Sequence, residues 1–126
     1  LLTHPMTPGR LYASLGDGLM MRRRSFAESR DDGETWRYSG RGLEAMPCLF
    51  GLAVNVADPD DVRVAASPDA RTAHFDGAAS IFRQDGDAWV EDAQGFPRER
   101  SLVPVLGADP MASGRWFALS NLGVFA

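Results

Sequence analysis

Apolar residues in this chain come in short runs rather than long stripes. "RLYAS" (10–14), "FGLAV" (50–54), "VRVAAS" (62–67), "SIFR" (80–83), "LVPVL" (102–106), "RWFALS" (115–120) and "LGVFA" (122–126) alternate or run apolar over strand-like lengths, bounded by Gly, Pro, Asp and Ser. Such runs read as β-strands. "TWRYSG" and "AWVED" each follow a turn and add two more. No window carries a 3.6-residue apolar stripe capped at both ends, so helices are not expected. The pattern predicts an all-β chain of antiparallel hairpins.

Three of the runs are alike and evenly spaced. "GRLYAS", "VRVAAS" and "RWFALS" close on Ser14, Ser67 and Ser120, two equal steps of 53 residues. Trp36 and Trp89 share that spacing, as do the turn pairs Gly42-Leu43 and Gly95-Phe96. "ADPDD" (57–61) and "ADPMASG" (108–114) match with a small shift, as expected of a turn that tolerates insertion. One unit then holds four strands: about 50–56 or 102–107, about 62–67 or 115–120, about 25–29 or 79–83, and about 35–38 or 88–91. Four antiparallel strands per roughly 40–50 residues is the blade of a β-propeller. The expectation is a single partial propeller domain over 1–126, with blade segments 1–43, 44–96 and 97–126. A closed propeller has about four to eight blades. Both ends cut through a repeat, so the remaining blades of the same propeller, in a longer chain, are the first expected partner.

The stretch "SRDDGETW" (29–36) crowds three acids, a glycine and a tryptophan into eight positions. In a hairpin each residue has a mechanical task. Ser29 and Asp31 can accept hydrogen bonds from the turn's own N–H groups. Gly33 supplies a positive φ, Thr35 starts the next strand, and Trp36 offers an apolar face to pack beneath the turn or between sheets. An EF-hand loop needs a different acid spacing. A surface hairpin also gives no dry pocket to raise a catalytic acid's pKa. No metal site and no cofactor are expected.

The pattern S-x-D-x-G-x-T-W resembles the Asp-box, or BNR repeat, of sialidases, sortilin-like receptors and photosystem II assembly factors, all β-propellers. In those families the box is a structural turn away from the catalytic centre. A second, degenerate copy is "FRQDGDAW" (82–89), in which Asp85, Gly86 and Trp89 remain. The resemblance runs through "GLMMRRRSFAESRDDGETW", "LFGLAVNVADPDDVRVAAS" and "VPVLGADPMASGRWFALSNLGVFA", nearly the whole chain. It implies a sialidase-like or glycosyl-hydrolase-like propeller, and it implies no activity, because one fold hosts many functions.

Composition narrows the partners. The formal charge is −4, which argues against general nucleic-acid binding. All thirteen basic residues are arginine. No apolar run approaches the roughly 18 residues that span a bilayer. The lone Cys48 makes no intrachain disulfide and reads as a buried thiol. The start, "LLTHPMTPGR", carries no signal-peptide pattern, and cytoplasmic and secreted locations both stay open.

Hairpin logic sorts the loops into two faces. The box face collects Asp31, Asp32, Glu34, Asp58, Asp60, Asp61, Asp85, Asp87 and Asp109. The opposite face has the long loops 15–25 and 67–79 and collects Arg22, Arg23, Arg24, Arg41, Arg71, His74, Arg98 and Arg100. Long loops on a rigid scaffold are where binding residues concentrate. "RRR" (22–24) would suit an anion or an acidic glycan. His4 and His74 are too far apart in sequence to make a metal motif. Asp58-Pro59-Asp60-Asp61 reads as a turn, and Met20 and Met21 as packing residues. A sialidase would need an arginine cluster, an acid and a tyrosine–glutamate pair; only Tyr12 and Tyr38 are available, and no catalytic residue carries over. The expected function is a scaffold that binds a glycan or protein on the long-loop face. The alternatives are a glycoside hydrolase with catalytic residues elsewhere and a protein-complex assembly factor.

Overall fold

A computed structural model describes residues 1–16 and 24–126. The chain is all-β, built as three antiparallel sheets laid down one after another along the sequence. The first sheet contains β1 (Leu2–Thr3), β2 (Leu11–Ser14), β3 (Phe26–Ser29) and β4 (Arg37–Ser39). The second contains β5 (Cys48–Asn55), β6 (Asp58–Ser67), β7 (Ser80–Asp85) and β8 (Ala88–Glu91). The third contains β9 (Val105–Ala108), β10 (Trp116–Ser120) and β11 (Gly123–Phe125). In each sheet the spatial order follows the chain order, a meander. Among the described residues the one helical feature is a short π-helical turn over Thr72–Asp76.

The 53-residue period is visible in the hydrogen-bond register. Tyr12 lies opposite Glu28, and Ala65 lies opposite Ile81, so both partners advance by the same step. Leu11 opposite Ser29 likewise becomes Val64 opposite Phe82. The match ends at the outermost strand. The first hairpin bends through the eight residues between Glu28 and Arg37, whereas Asp85 pairs with Ala88 across a two-residue turn. The third sheet departs further: Ser120 pairs with Gly123 in a tight hairpin where the second sheet has a long loop.

Asp58, Pro59, Asp60 and Asp61 are not the turn the sequence suggests. They open β6, and the turn is the two residues before them, with Asn55 opposite Asp58. Asn55 accepts the Ala57 N–H on its side-chain oxygen, which closes the turn early. Proline is tolerated at 59 because β6 pairs with β7 only from Arg63 onward, so this segment has a free edge.

The main core lies between the first two sheets. Tyr12 and Phe26 from one meet Val62, Val64, Phe82 and Trp89 from the other, with Leu43 from the connection. Fully burying side chains of this size stabilises by about 1.5–3 kcal/mol each. Cys48, at the start of β5, is buried. The Phe26 and Trp89 rings meet edge to face, with centroids 4.9 Å apart, a favoured aromatic arrangement. Trp89 also donates its indole N–H to Ser39 Oγ at 3.2 Å and its backbone N–H to Arg41 O at 2.8 Å. A smaller core, containing Ile81, Phe96, Ala118, Leu106 and Phe125, joins the second sheet to the third.

Trp36, at the matching sequence position, does not fill this role. It is half-buried beneath its own turn and lies outside both cores. The sheet-to-sheet tryptophan is Trp89, because β8 leans back onto the preceding sheet.

Candidate functional site

The Ser29–Trp36 turn is closed by its own side chains. Ser29 Oγ accepts the N–H groups of Asp31 and Gly33, at 3.3 and 2.9 Å. Its hydroxyl donates to Asp31 Oδ1 at 2.7 Å. Asp31 then accepts the Thr35 N–H at 2.9 Å and the Thr35 hydroxyl at 2.5 Å. Trp36 donates its indole N–H to Gly33 O at 3.1 Å and so lies across the turn. Asp32 and Gly33 both take positive φ, 57° and 90°. The Thr35 hydroxyl, then the Thr35 N–H and the Ser29 hydroxyl, hold the Asp31 carboxyl below its ordinary range. Both Asp31 oxygens are thus occupied by the turn. The Asp85-Gly86 turn is simpler: Gly86 takes φ 63°, and Gln84 donates to Gly86 O at 3.4 Å. Among the described residues, no group of three or more His, Cys, Asp or Glu side chains could hold a metal ion.

A charge cluster that the sequence reading overlooked ties the first two sheets together. Arg10 is buried and reaches Glu28 at 3.3 Å, Asp60 at 2.7 Å and the Pro59 carbonyl at 3.1 Å. Arg37 meets the other Glu28 oxygen at 2.8 Å, and Tyr12 donates to Pro59 O at 2.8 Å. Burial works against the Arg10 charge, but the Asp60 hydrogen bond and the fields of Tyr12, Asp60 and Glu28 hold its pKa above the ordinary value. Burial also raises the Tyr12 pKa, against the pull of Arg10. The one available signal was the strand period. Glu28 falls where the second repeat has Ile81, an interface position, and a charge there requires a partner. His4 is likewise structural: it accepts the Met6 N–H at Nδ1, so its Nε2 donates to Asn55 O at 2.9 Å.

The arginines expected on the long-loop face do not form one cluster. Arg22 and Arg23, with Met20 and Met21, lie outside the described residues. Arg24 sits over the Tyr38 ring at 5.1 Å. Arg71 pairs with Asp76 at 3.3 Å and Arg98 with Glu91 at 3.3 Å. His74 is exposed and meets the Phe50 ring edge on, centroids 5.0 Å apart. Arg100 has φ 62°, and its carbonyl accepts Asn121 Nδ2 at 3.1 Å.

All three sheets converge on a cavity of about 600 Å³. Its wall includes Leu2, Ser14, Phe50, His74, Val105 and Leu119. Close approach at Gly51 builds it: a Cβ there would lie 2.5 Å from Pro104 O, so β5 runs hard against the segment entering β9. The polar groups at its rim are already engaged. Ser14 donates to Phe50 O, Asn121 accepts the Leu102 N–H, and Ser120 accepts the Leu122 N–H. A neighbouring cavity of about 520 Å³ shares Leu102 and Asn121 and adds Phe75, Asp76, Arg100 and Leu122. His74 and Arg100 therefore come to adjoining hollows, while Arg24, Arg71 and Arg98 line neither. Phe75, Val105, Leu119 and Leu122 leave much of their apolar surface in solvent around these hollows.

No family model matches the chain, and neither a curated protein nor a solved structure matches it.

Proposed function

We propose that this chain is an arc of an Asp-box β-propeller of the sialidase-like type, serving as a non-catalytic scaffold that binds a protein partner. The partner sits on the face opposite the Ser29–Trp36 turn. The propeller reading is supported by consecutive meandering sheets, the first two of which repeat the register of their central strand pair, β2–β3 and β6–β7, after 53 residues. The binding reading rests on the cavity where the three sheets meet, lined by exposed Val105 and Leu119, and on its neighbour, lined by exposed Phe75 and Leu122. Contiguous exposed apolar surface of this kind marks interaction sites. Its rim polar groups are used internally, which leaves little to recognise a polyhydroxylated sugar and favours apolar side chains of a polypeptide. The assembly-factor alternative shares this prediction. The glycoside-hydrolase alternative needs catalytic carboxylates and an arginine cluster, and the described arginines on this face are dispersed.

The test is a Phe75→Asp, Leu119→Asp double variant, compared with the parent for partner binding, on a glycan array and against aryl glycosides. Partner binding should fall at least tenfold with the fold intact, and glycans should give no signal in either protein. Robust glycoside turnover abolished by one carboxylate substitution would refute the scaffold reading.

A further inference from the structure

The loop from His4 to Arg10, between β1 and β2, is closed by three hydrogen bonds. The His4 N–H bonds Arg10 O at 3.1 Å, the Arg10 N–H bonds Thr7 O at 3.3 Å, and the Met6 N–H bonds His4 Nδ1 at 3.2 Å. His4 is buried, while Pro5 and Met6 beside it are exposed. The loop is tied to two other parts of the molecule. At one end His4 Nε2 donates to Asn55 O, at the end of β5. The Asn55 side-chain oxygen also accepts the Ser113 hydroxyl, from the β9–β10 turn, at 3.2 Å. One residue thus joins turns of all three sheets. At the other end Gly9 O accepts the Asp32 N–H at 3.2 Å, so the loop braces the Ser29–Trp36 turn.

These bonds specify the charge of the ring. Nδ1 must offer a lone pair to Met6, and Nε2 must carry a proton for Asn55. Only the neutral imidazole does both. A second proton would fall on Nδ1 and point at the Met6 N–H, so Met6 would lose its acceptor. The Asn55 bond survives, because Nε2 still donates. The surrounding charges do not offset this loss. Within the loop Arg10 adds a like charge. On β3, Glu28 is held by Arg10 and Arg37. On β6, Asp60 is held by Arg10, Asp61 by Arg63 and Asn55, and Asp58 accepts the Asp60 N–H. In the third sheet's turn Asp109 is held by Arg115. Asp32 lies at the far end of the loop, beside Gly9. Among the described residues none of these carboxylates pairs with His4.

We infer that His4 is a proton-operated latch on the His4–Arg10 loop. With the ring neutral, the loop is closed. Protonation at Nδ1 releases Met6, and the loop opens while His4 stays on Asn55. Opening withdraws Gly9 O from the Asp32 N–H, so the signal reaches the Ser29–Trp36 turn. The open form binds the proton and the closed form excludes it, so acid favours opening. The latch is closed at the alkaline end and open at the acid end of the span in which histidine takes up its proton, about pH 8 to 5. A bistable segment biased by one histidine proton is a known kind of switch. The inference stands on this loop alone; what binds the opposite face does not enter it.

The test is NMR on the isotope-labelled chain, titrated from about pH 8 to about pH 5. Long-range couplings of the His4 ring nitrogens should show the Nε2–H tautomer at the alkaline end. The amides of Met6, Thr7, Gly9 and Asp32 should move on one curve with the His4 ring. The Met6 and Asp32 amides should exchange at least tenfold faster at the acid end, relative to their unstructured rates. His4→Gln offers one donor and one acceptor but does not titrate, and its loop should stay closed throughout. If that variant fails to fold, the titration of the parent chain decides alone. A ring that titrates while Met6 and Asp32 stay fixed would overturn the proposal. So would a ring still neutral at the acid end, an Nδ1–H tautomer at the alkaline end, or the same acid transition in His4→Gln.

Discussion

At the scale of single residues, carboxylates decide the local geometry. Asp31 serves its own turn, with Thr35 and Ser29 lowering its pKa. Asp60 is lowered mainly by the Arg10 hydrogen bond, and Asp69 by the Thr72 N–H. A carboxyl whose folded pKa lies below its unfolded value adds stability that is present above the unfolded value. That stability is lost as the pH falls through the folded one. These three groups should therefore stabilise fully above the ordinary value of 3.8 and lose their contribution as the pH drops below it. Thermal melts between neutral and strongly acid pH should show a steep acid limb, and Asp31→Asn should flatten it. An unchanged limb would mean that the turn does not depend on the ionised acid. The roles of Ser29, Asp31 and Gly33 could be read from sequence because a turn draws on neighbours. Glu28 could not, since its partners Arg10 and Asp60 are remote in the chain.

At the scale of elements, sheets meet where backbones can approach closely. Gly42 and Gly95 share a sequence context and a positive φ, and differ only in what covers them. Gly95→Ala should lose about 1–2 kcal/mol, the cost of an L side chain in the left-handed region. Gly42→Ala carries the same strain and a collision with Trp89 O, and should lose about 3–5 kcal/mol. Urea unfolding of the two variants separates them, and equal losses would mean that β8 does not seat on Gly42. Strand positions were legible because alternating runs bounded by turn residues fix them locally. The outer strand's register was not. Two sequences that align at tryptophan close their hairpins differently, the first with eight residues and Ser29–Asp31 bonding, the second with two. The Asp58–Asp61 turn was misplaced for a related reason, since Asn55 closes the chain one step earlier by capping Ala57.

At the scale of the whole molecule, an exact sequence period yields inexact partners. Three sheets repeat a plan, but each is covered by something different: the second sheet seals the first, the third partly seals the second, and the space between them stays open at Gly95. Arg41 meets Asp87, an acid expected on the other face, so of the long-loop face only the position of His74 and Arg100 beside its hollows was legible. Its dispersal into separate ion pairs was not, because Asp76 and Glu91 claim Arg71 and Arg98 only once the sheets are folded. The central claim is that the repeat holds its sheets together through a tryptophan that leans onto the preceding sheet. Trp89→Ala and Trp36→Ala, unfolded side by side in urea, test it most directly. Trp89→Ala should lose about 3–5 kcal/mol, the cost of emptying a buried aromatic site. Trp36→Ala should lose about 1–2 kcal/mol, a half-buried ring and one hydrogen bond. Equal losses, or a larger loss at Trp36, would contradict the account.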